Sequence, residues 1–563
     1  MTSWLDAVMP HLVAAPIVLP LAAAAVMLVL GQRWRAASAL VDVAASVAGL
    51  AVAVALLVWV DRGGEGGAIA VYLPANWPVP YGIALVVDRL AALMLVLANL
   101  LGVTAVLYAT ARWHRAGVHF HPLFQLQLMG LNGAFLTADL FNLFVFFEVM
   151  LAASYGLLLH GSGTARVRAG MHYVAINLAA SAVFLIGVAM LYGVTGTLNL
   201  ADMAQKLAAV PAADRGLLHA GLAILAIAFL TKAAMWPLGF WLAPAYAAAS
   251  APAAALFAVM TKVGVYAVLR CSMLFFGADG AIDPLGSGLL VAGGCMTLAV
   301  GAFAMLAAQR LARMAGACVA VSSGTLIAAL GFGLPSLTAG ALFYLTSSTL
   351  ALAALYLLVE LGERVHDVDT DQPEPEVHHG ALPFAFEAIE LPQGVNLDDE
   401  ERALVGRVLP TTVVFLGLAY LACALVIAGL PPLSGFLAKF AMLSAALDPD
   451  GVPNALRSPP STSAWLFVAL VIAAGLLATI ALARTGMRQF WTARERPEPR
   501  LRVVECVAVA LPLTACVALA IGAEPALRYA RDAARALHRP APYIEAVLGA
   551  QPVRLEAGRG ATR

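Results

Sequence analysis

The chain has 563 residues, of which 62% are apolar and 12% charged, and its acidic and basic residues balance at 33 each. A soluble domain carries about twice that charge, so lipid must solvate most of this surface, and zero net charge gives no reason to expect nucleic acid as a partner. The six cysteines form no C-x-x-C pair, and no usable nucleotide-binding or H-E-x-x-H pattern occurs, so neither a cofactor, a metal nor a redox centre of its own is expected.

A membrane helix needs about 20 apolar residues. Apolar runs predict an all-α membrane protein with fourteen spans, at 11–30, 38–60, 86–108, 121–139, 140–160, 170–193, 217–242, 250–275, 286–308, 313–333, 338–361, 410–446, 463–484 and 502–522. The first run is read as a span rather than a cleaved leader, because its flank carries Asp6 and no basic residue. Loops after odd-numbered spans are rich in arginine: Arg33 and Arg35, Arg112 and Arg115, Arg166 and Arg168, Arg310 and Arg313, then Arg484, Arg488, Arg494 and Arg496. Loops after even-numbered spans hold only Arg62, Lys206, Arg215, Arg270 and Arg457. The positive-inside rule then puts the odd loops in the cytoplasm and both termini outside. The basic tail with Arg528, Arg531, Arg535 and Arg539 is the exception. Residues 362–405 form an acidic cytoplasmic insertion with twelve acidic residues and two arginines, expected to be a solvated loop, the alternative being a dock for a partner subunit or a weak metal site using His378, His379 and the carboxylates.

Two spans carry helix breakers in similar wording. The seventh holds Trp236-Pro237-Leu238-Gly239-Phe240, and the twelfth Pro431-Pro432-Leu433-Ser434-Gly435-Phe436. Proline removes a backbone donor, so both helices are expected to break where protein or water satisfies the freed groups. The broken spans lie five helices apart and so enter from opposite sides, which predicts two inverted five-helix repeats. The resulting division is residues 1–110 for three N-terminal spans, 121–275 for the first repeat, 286–484 for the second with its insertion, and 502–563 for the last span and tail.

Lysine occurs only at 206, 232, 262 and 439, against 29 arginines. Three of the four fall inside predicted spans: Lys232 before Pro237, Lys262 in span eight, and Lys439 after Pro432. A charge at the bilayer centre costs at least about 2.5–3.5 kcal/mol, so three such residues demand a use. A buried lysine can lose and regain a proton near neutral pH, whereas arginine keeps its proton. Glu148 is the only charge between Asp139 and Arg166 and sits near the centre of span five. An unpaired carboxylate there is costly, and Lys232 is its expected partner. Glu148, Lys232, Lys262 and Lys439 are thus the candidate proton carriers. Asp139 reads as a helix cap, Asp88 and Arg89 as interfacial anchors, and Asp42 as a residue that could face a partner. His114, His119, His121, His160 and His172 fall near predicted cytoplasmic ends, where they could feed protons inward, although interfacial histidines are usually just solvated. Tyr72, Trp77 and Tyr81 read as an outer aromatic belt.

At these residues the chain resembles the antiporter-like subunits shared by respiratory complex I and Mrp-type multisubunit cation/proton antiporters. Phe147-Glu148-Val149-Met150 resembles the fifth-span glutamate motif. Thr231-Lys232-Ala233-Ala234-Met235-Trp236-Pro237 and Thr261-Lys262-Val263-Gly264-Val265-Tyr266 resemble the seventh- and eighth-span lysine motifs. Gly429-Leu430-Pro431-Pro432-Leu433-Ser434-Gly435-Phe436 with Lys439 resembles the broken twelfth span. Asn76-Trp77-Pro78-Val79-Pro80-Tyr81-Gly82-Ile83 is similar to the D-type branch of the Mrp antiporter subunits. The resemblance covers about residues 80–361 and 410–485. It implies a Glu–Lys pair feeding a central and an exit lysine. It also implies a bacterial inner-membrane complex of several subunits that exchanges sodium, or another monovalent cation, for protons. The insertion at 362–405 departs from the family's compact pattern. The same local chemistry fits a proton-pumping subunit of complex I or a membrane hydrogenase, driven by electron transfer elsewhere. A non-conducting scaffold, in which the charges only hold helices together, is the third alternative.

Overall fold

A computed structural model describes residues 9, 11–64, 67–113, 119–161, 163–275, 287–367, 411–448, 459–490 and 501–553. Helices α1 (Ala15–Leu30) and α2 (Arg35–Asp61) precede an antiparallel hairpin of β1 (Ala70–Tyr72) and β2 (Leu85–Val87). Four long helices follow: α3 (Arg89–Ala111), α4 (Phe120–Leu136), α5 (Leu140–Leu159) and α6 (Thr164–Thr195). A short helix α7 (Leu200–Leu207) leads to the first broken span, α8 (Arg215–Lys232) and α9 (Leu242–Ala248). Next come α10 (Ala251–Phe275), α11 (Ser287–Ala307), α12 (Leu311–Gly331) and α13 (Pro335–Asp367). The second broken span is α14 (Thr411–Ala428) and α15 (Ser434–Leu447), followed by α16 (Thr462–Phe490) and α17 (Val503–Ile521). Two more helices, α18 (Ala523–Leu537) and α19 (Ala541–Leu548), complete the described chain.

Twelve of these helices are long and apolar enough to cross a membrane: α2, α3, α5, α6, α8, α10 to α14, α16 and α17. Each apolar run predicted from the sequence coincides with a helix. However, α1 has 16 residues, α4 has 17 and α15 has 14, so twelve is the count that length and composition support. The acidic insertion lies almost wholly outside the described residues. Only its first six residues are seen, as the last turns of α13, which runs past the predicted end of the span.

Burial sorts the helices into a core and a rim. Helix α10 is buried along nearly all of its length, and α12 and α13 along most of theirs, whereas α2, α14 and α17 bury about a third or less. Apolar side chains exposed on the rim, such as Val29, Leu40, Leu289 and Phe303, present a surface that only lipid solvates well. Small residues set the closest helix contacts, as is usual where packing rather than the hydrophobic effect drives association. A Cβ on Gly294 of α11 would lie 2.3 Å from the Ala328 amide nitrogen of α12, and one on Gly324 of α12 would lie 2.5 Å from the Leu298 nitrogen of α11.

The last helices tie the two ends of the bundle together. The Arg502 guanidinium donates to the Ala111 carbonyl at the end of α3. At the opposite end the Tyr529 hydroxyl of α18 donates to the Arg89 carbonyl at 2.8 Å. Asn76 exchanges two hydrogen bonds with the Val553 backbone, at 2.9 and 2.7 Å. The basic tail is therefore a folded strap over the face that carries the β-hairpin.

Several polar residues sit differently from the sequence-based expectation. Asp42 does not face outward to a partner. It is fully buried, accepting from His121 Nδ1 at 2.5 Å and from Gln125 Nε2 at 2.6 Å. His121 and His160 are likewise buried rather than solvated, and the His160 ring lies 5.2 Å from that of Phe120. Arg270 is not a loop residue but a buried member of α10, bidentate to Asp88 at 2.6 and 2.7 Å. Asp88 also caps α3, accepting from the Ala91 nitrogen at 2.9 Å. Asp88 and Arg89 are thus fixed in a network rather than acting as free interfacial anchors. A buried charge must find such a partner or stay out of the fold. Asp139 is the expected cap, accepting from the Asn142 nitrogen at 2.8 Å. Trp77 and Tyr81 are exposed beside the hairpin, and Tyr72 is half-buried in β1.

Candidate functional site

Both predicted breaks exist, and each holds a lysine. Helix α8 ends at Lys232 itself, five residues before Pro237, so Lys232 terminates the half-helix rather than sitting mid-span. The turn passes through Ala234 at φ 57°, a left-handed conformation that costs an L-residue about 1–2 kcal/mol. Gly239 packs against this turn so tightly that a Cβ there would lie 2.2 Å from the Ala234 carbonyl oxygen. The Trp236 nitrogen, freed by the break, donates to Thr297 Oγ1 of α11 at 2.9 Å. Substituting Ala234→Gly is expected to raise stability by about 1 kcal/mol, less glycine's extra unfolded-state entropy. A higher thermal midpoint of the detergent-solubilised chain is the readout, and an unchanged or lower one contradicts the strain.

Lys232 is 5% exposed. Its ammonium donates to the Asn177 carbonyl at 3.1 Å, to Asn177 Oδ1 at 3.3 Å and to Ser181 Oγ at 3.2 Å. Ser181 in turn donates to Glu148 Oε1. Lys232 and Glu148 are therefore not in direct ion-pair contact. One hydroxyl stands between them, accepting from the lysine and donating to the carboxylate. Asn177 and Ser181 lie one turn apart on α6, and an i, i+4 polar pair in an otherwise apolar span is the signal that could have singled them out.

The second break has a different logic. Lys439 is on α15, the half-helix after the break, but its ammonium reaches back to the end of α14. It donates to the Ile427 carbonyl at 3.1 Å and the Ala428 carbonyl at 2.7 Å. Those are orphan carbonyls at a helix C-terminus, where the partial negative charge of the helix dipole favours a cation. Gly429, at φ 79°, closes α14, and a Cβ there would come within 2.5 Å of the Lys439 side chain.

Lys262 lies between the two breaks, fully buried in α10. Its contact is Ser323 Oγ of α12 at 3.5 Å. Two separate serine pairs lie nearer Lys439. Ser322 is bonded to Ser348 of α13 at 3.0 Å, and Ser347 to Ser434 of α15 at 2.8 Å. Ser322, Ser347, Ser348, Tyr344 and Lys439 line a cavity of about 20 Å³, enough for one water. Sequence reasoning missed these serines, although Ser322-Ser323 and Ser347-Ser348-Thr349 are visible as polar clusters in apolar runs. The structure thus joins Glu148 to Lys232 through Ser181, and Lys262 to Ser323, while Ser322, Ser347 and Ser348 share the small cavity with Lys439. No hydrogen bond links Lys232 directly to Lys262 among the described residues.

Comparison with known proteins fits this arrangement. The NADH:quinone oxidoreductase/Mrp antiporter transmembrane family matches residues 137–372. The D-type subunit of a probable K(+)/H(+) antiporter from Rhizobium meliloti is 50% identical over 98% of this chain and 99% of its own length. The chain belongs to the family of D-type antiporter subunits. The D-type subunit of the Na(+)/H(+) antiporter from Alkalihalophilus pseudofirmus is 32% identical over 96% of this chain and all of its own. Among solved structures, the Mrp complex of a Dietzia species contains a chain superposing with TM-score 0.77 at 26% identity, covering 96% of this chain and 100% of that one. A chain of respiratory complex I from Thermus thermophilus superposes at TM-score 0.71 with 22% identity, covering 96% and 100%. That similarity shows a shared fold. As a member of this family the chain is a multi-pass membrane transporter subunit rather than an enzyme.

Proposed function

We propose that the chain is the proton-conducting subunit of a multisubunit monovalent cation/proton antiporter, exchanging K+ or Na+ for protons in a bacterial inner membrane. The names of its relatives supply the cation class: potassium for the one at 50% identity, sodium for the one at 32%. The observation that carries the reading is the line of titratable and hydroxyl groups through the buried middle of the bundle. Glu148, Ser181 and Lys232 form its first segment. Lys262 with Ser323, the two serine pairs and Lys439 make up its second, which is not continuously hydrogen-bonded. Serine can accept a proton on one side while giving up its own on the other, so Ser181 couples the lysine to the carboxylate without direct contact.

In this reading α1 and α4 also cross the membrane and each broken helix counts once, giving fourteen crossings. Helices α4 to α10 and α11 to α16 form two five-span units of inverted sense, each with one break. Intake from the inner side is supported by buried polar atoms with no protein partner among the described residues. These are the hydroxyls of Tyr155, Tyr246, Ser250 and Tyr356 and the Trp241 indole N–H. Tyr155, Tyr173, Trp241, Tyr246 and Tyr356 form a contiguous set of rings with neighbouring centroids 5.4–6.2 Å apart. Polar atoms buried in this way are normally hydrated.

The test is cation-dependent proton flux in membrane vesicles from an antiporter-deficient host carrying the complete complex. Collapse of a preformed pH gradient on adding K+ or Na+, absent when this chain is deleted, is the expected result. Proton movement that instead requires an electron donor and ignores both cations would overturn the assignment to an antiporter.

A further inference from the structure

The outer strap encloses a cavity of about 550 Å³ between the start of α3, the last turns of α10 and the helices α18 and α19. Four arginines line it, Arg89, Arg270, Arg535 and Arg539, with Asp88 beside them. Arg270 is held flat, bidentate to Asp88 and stacked 5.0 Å from the Tyr543 ring. Arg89 lies 3.7 Å from Asp61 and 4.0 Å from Asp532, and Arg535 lies 3.3 Å from Asp532. Arg539 is exposed. Among the described residues, Asp61, Asp88 and Asp532 lie within ion-pair distance of Arg89, Arg270 and Arg535, and the mouth is formed by the exposed Arg535 and Arg539.

We propose that this pocket binds a phosphodiester, the headgroup phosphate of an anionic phospholipid of the outer leaflet. Guanidinium groups suit phosphate oxygens because their paired donors match its geometry. The volume is that of a site for a molecule of many heavy atoms, several times what one inorganic phosphate fills. The remaining walls are apolar, with Ile69, Met273, Leu274 and Leu537 offering a surface to glycerol and proximal acyl carbons. The pocket also accounts for the arginine-rich tail, which breaks the positive-inside pattern. Arg535 of this tail is paired with Asp532, Arg539 is exposed beside it, and an anionic lipid supplies the counter-charge. Clusters of basic residues at the bilayer surface attract anionic lipids.

The test uses the full-length chain purified with its complex in neutral detergent. Thermal midpoints are compared after adding dioleoylphosphatidylglycerol, dioleoylphosphatidylcholine or inorganic phosphate, for the wild type and for Arg535→Gln/Arg539→Gln. Both substituted arginines are exposed, so the variant folds. Phosphatidylglycerol is expected to raise the wild-type midpoint by several degrees through preferential binding to the folded state. Phosphatidylcholine and phosphate give less than half that shift, and the double variant loses most of it. Native mass spectra should show retained phosphatidylglycerol on the wild type and at least a several-fold lower occupancy on the variant. Equal shifts from the two lipids, or an undiminished response in the variant, overturn the proposal. A full shift from inorganic phosphate alone replaces the lipid with a free anion. Loss of a co-purifying subunit with an intact lipid response makes the pocket a protein contact instead.

Discussion

Lys232→Met is expected to lower cation-dependent proton flux by at least about 100-fold, the lower range for removing a proton-transfer group, while Lys232→Arg does the same with the charge retained. The arginine variant separates the two ideas that a scaffold and a relay share. A scaffold needs only a positive charge near Ser181, Asn177 and Glu148, and arginine supplies one. A relay needs a group that gives its proton up, which guanidinium does not do. The single variants carry a known complication. Removing one member of a buried charged set leaves the other uncompensated, and that costs roughly 3–5 kcal/mol and lowers assembly. The double variant Lys232→Met/Glu148→Gln removes both charges and keeps an oxygen acceptor for the Ser181 hydroxyl. It should recover assembly yet remain inactive. Flux is measured in vesicles at matched complex abundance, with Lys439→Met as a second site. Wild-type flux in Lys232→Arg, or restored flux in the double variant, would sink the relay.

Gly264→Ala is expected to destabilise the chain by roughly 1–3 kcal/mol or more, through backbone rather than chemistry. Gly264 faces the first break from α10. A Cβ there would lie 2.5 Å from the Ala233 nitrogen and 2.8 Å from the Lys232 carbonyl carbon. Neither atom belongs to a side chain that can rotate away, so α10 and the end of α8 must part. That displaces Lys232 from Ser181 and also disturbs the central helix that carries Lys262. The matched control is Gly193→Ala in α6, where an added Cβ meets nothing within 4 Å and gains helix propensity. Thermal midpoint and complex yield are the readouts. Equal behaviour of the two variants would show that the break does not depend on this close approach.

These two outcomes bear on different links of the same chain of cause. Lys232 concerns what the site does, and Gly264 concerns what holds it in place. Lys439 combines both roles, since its ammonium satisfies the orphan carbonyls of α14. Removing it is therefore expected to loosen the second break as well as interrupt conduction.

The amino-acid sequence by itself determined the helices, their breaks and the charged residues worth examining. The reason is the solvent. Lipid forces apolar runs of fixed length, makes proline and glycine conspicuous where backbone groups must be satisfied, and makes each buried lysine or glutamate expensive enough to stand out. Tertiary structure alone decided who meets whom. The Glu148 carboxylate and Lys232 are joined through Ser181 on a helix between them. Lys262 meets Ser323, and Ser347 meets Ser434 across 87 residues of chain. Arg270 finds Asp88 across 182 residues, and Asp42 finds His121 across 79. Serine is common in membrane helices and small enough to be neutral wherever it points, so its role is set by its neighbours rather than by its presence. A lone aspartate or arginine announces that it needs a partner, but helix packing chooses which one.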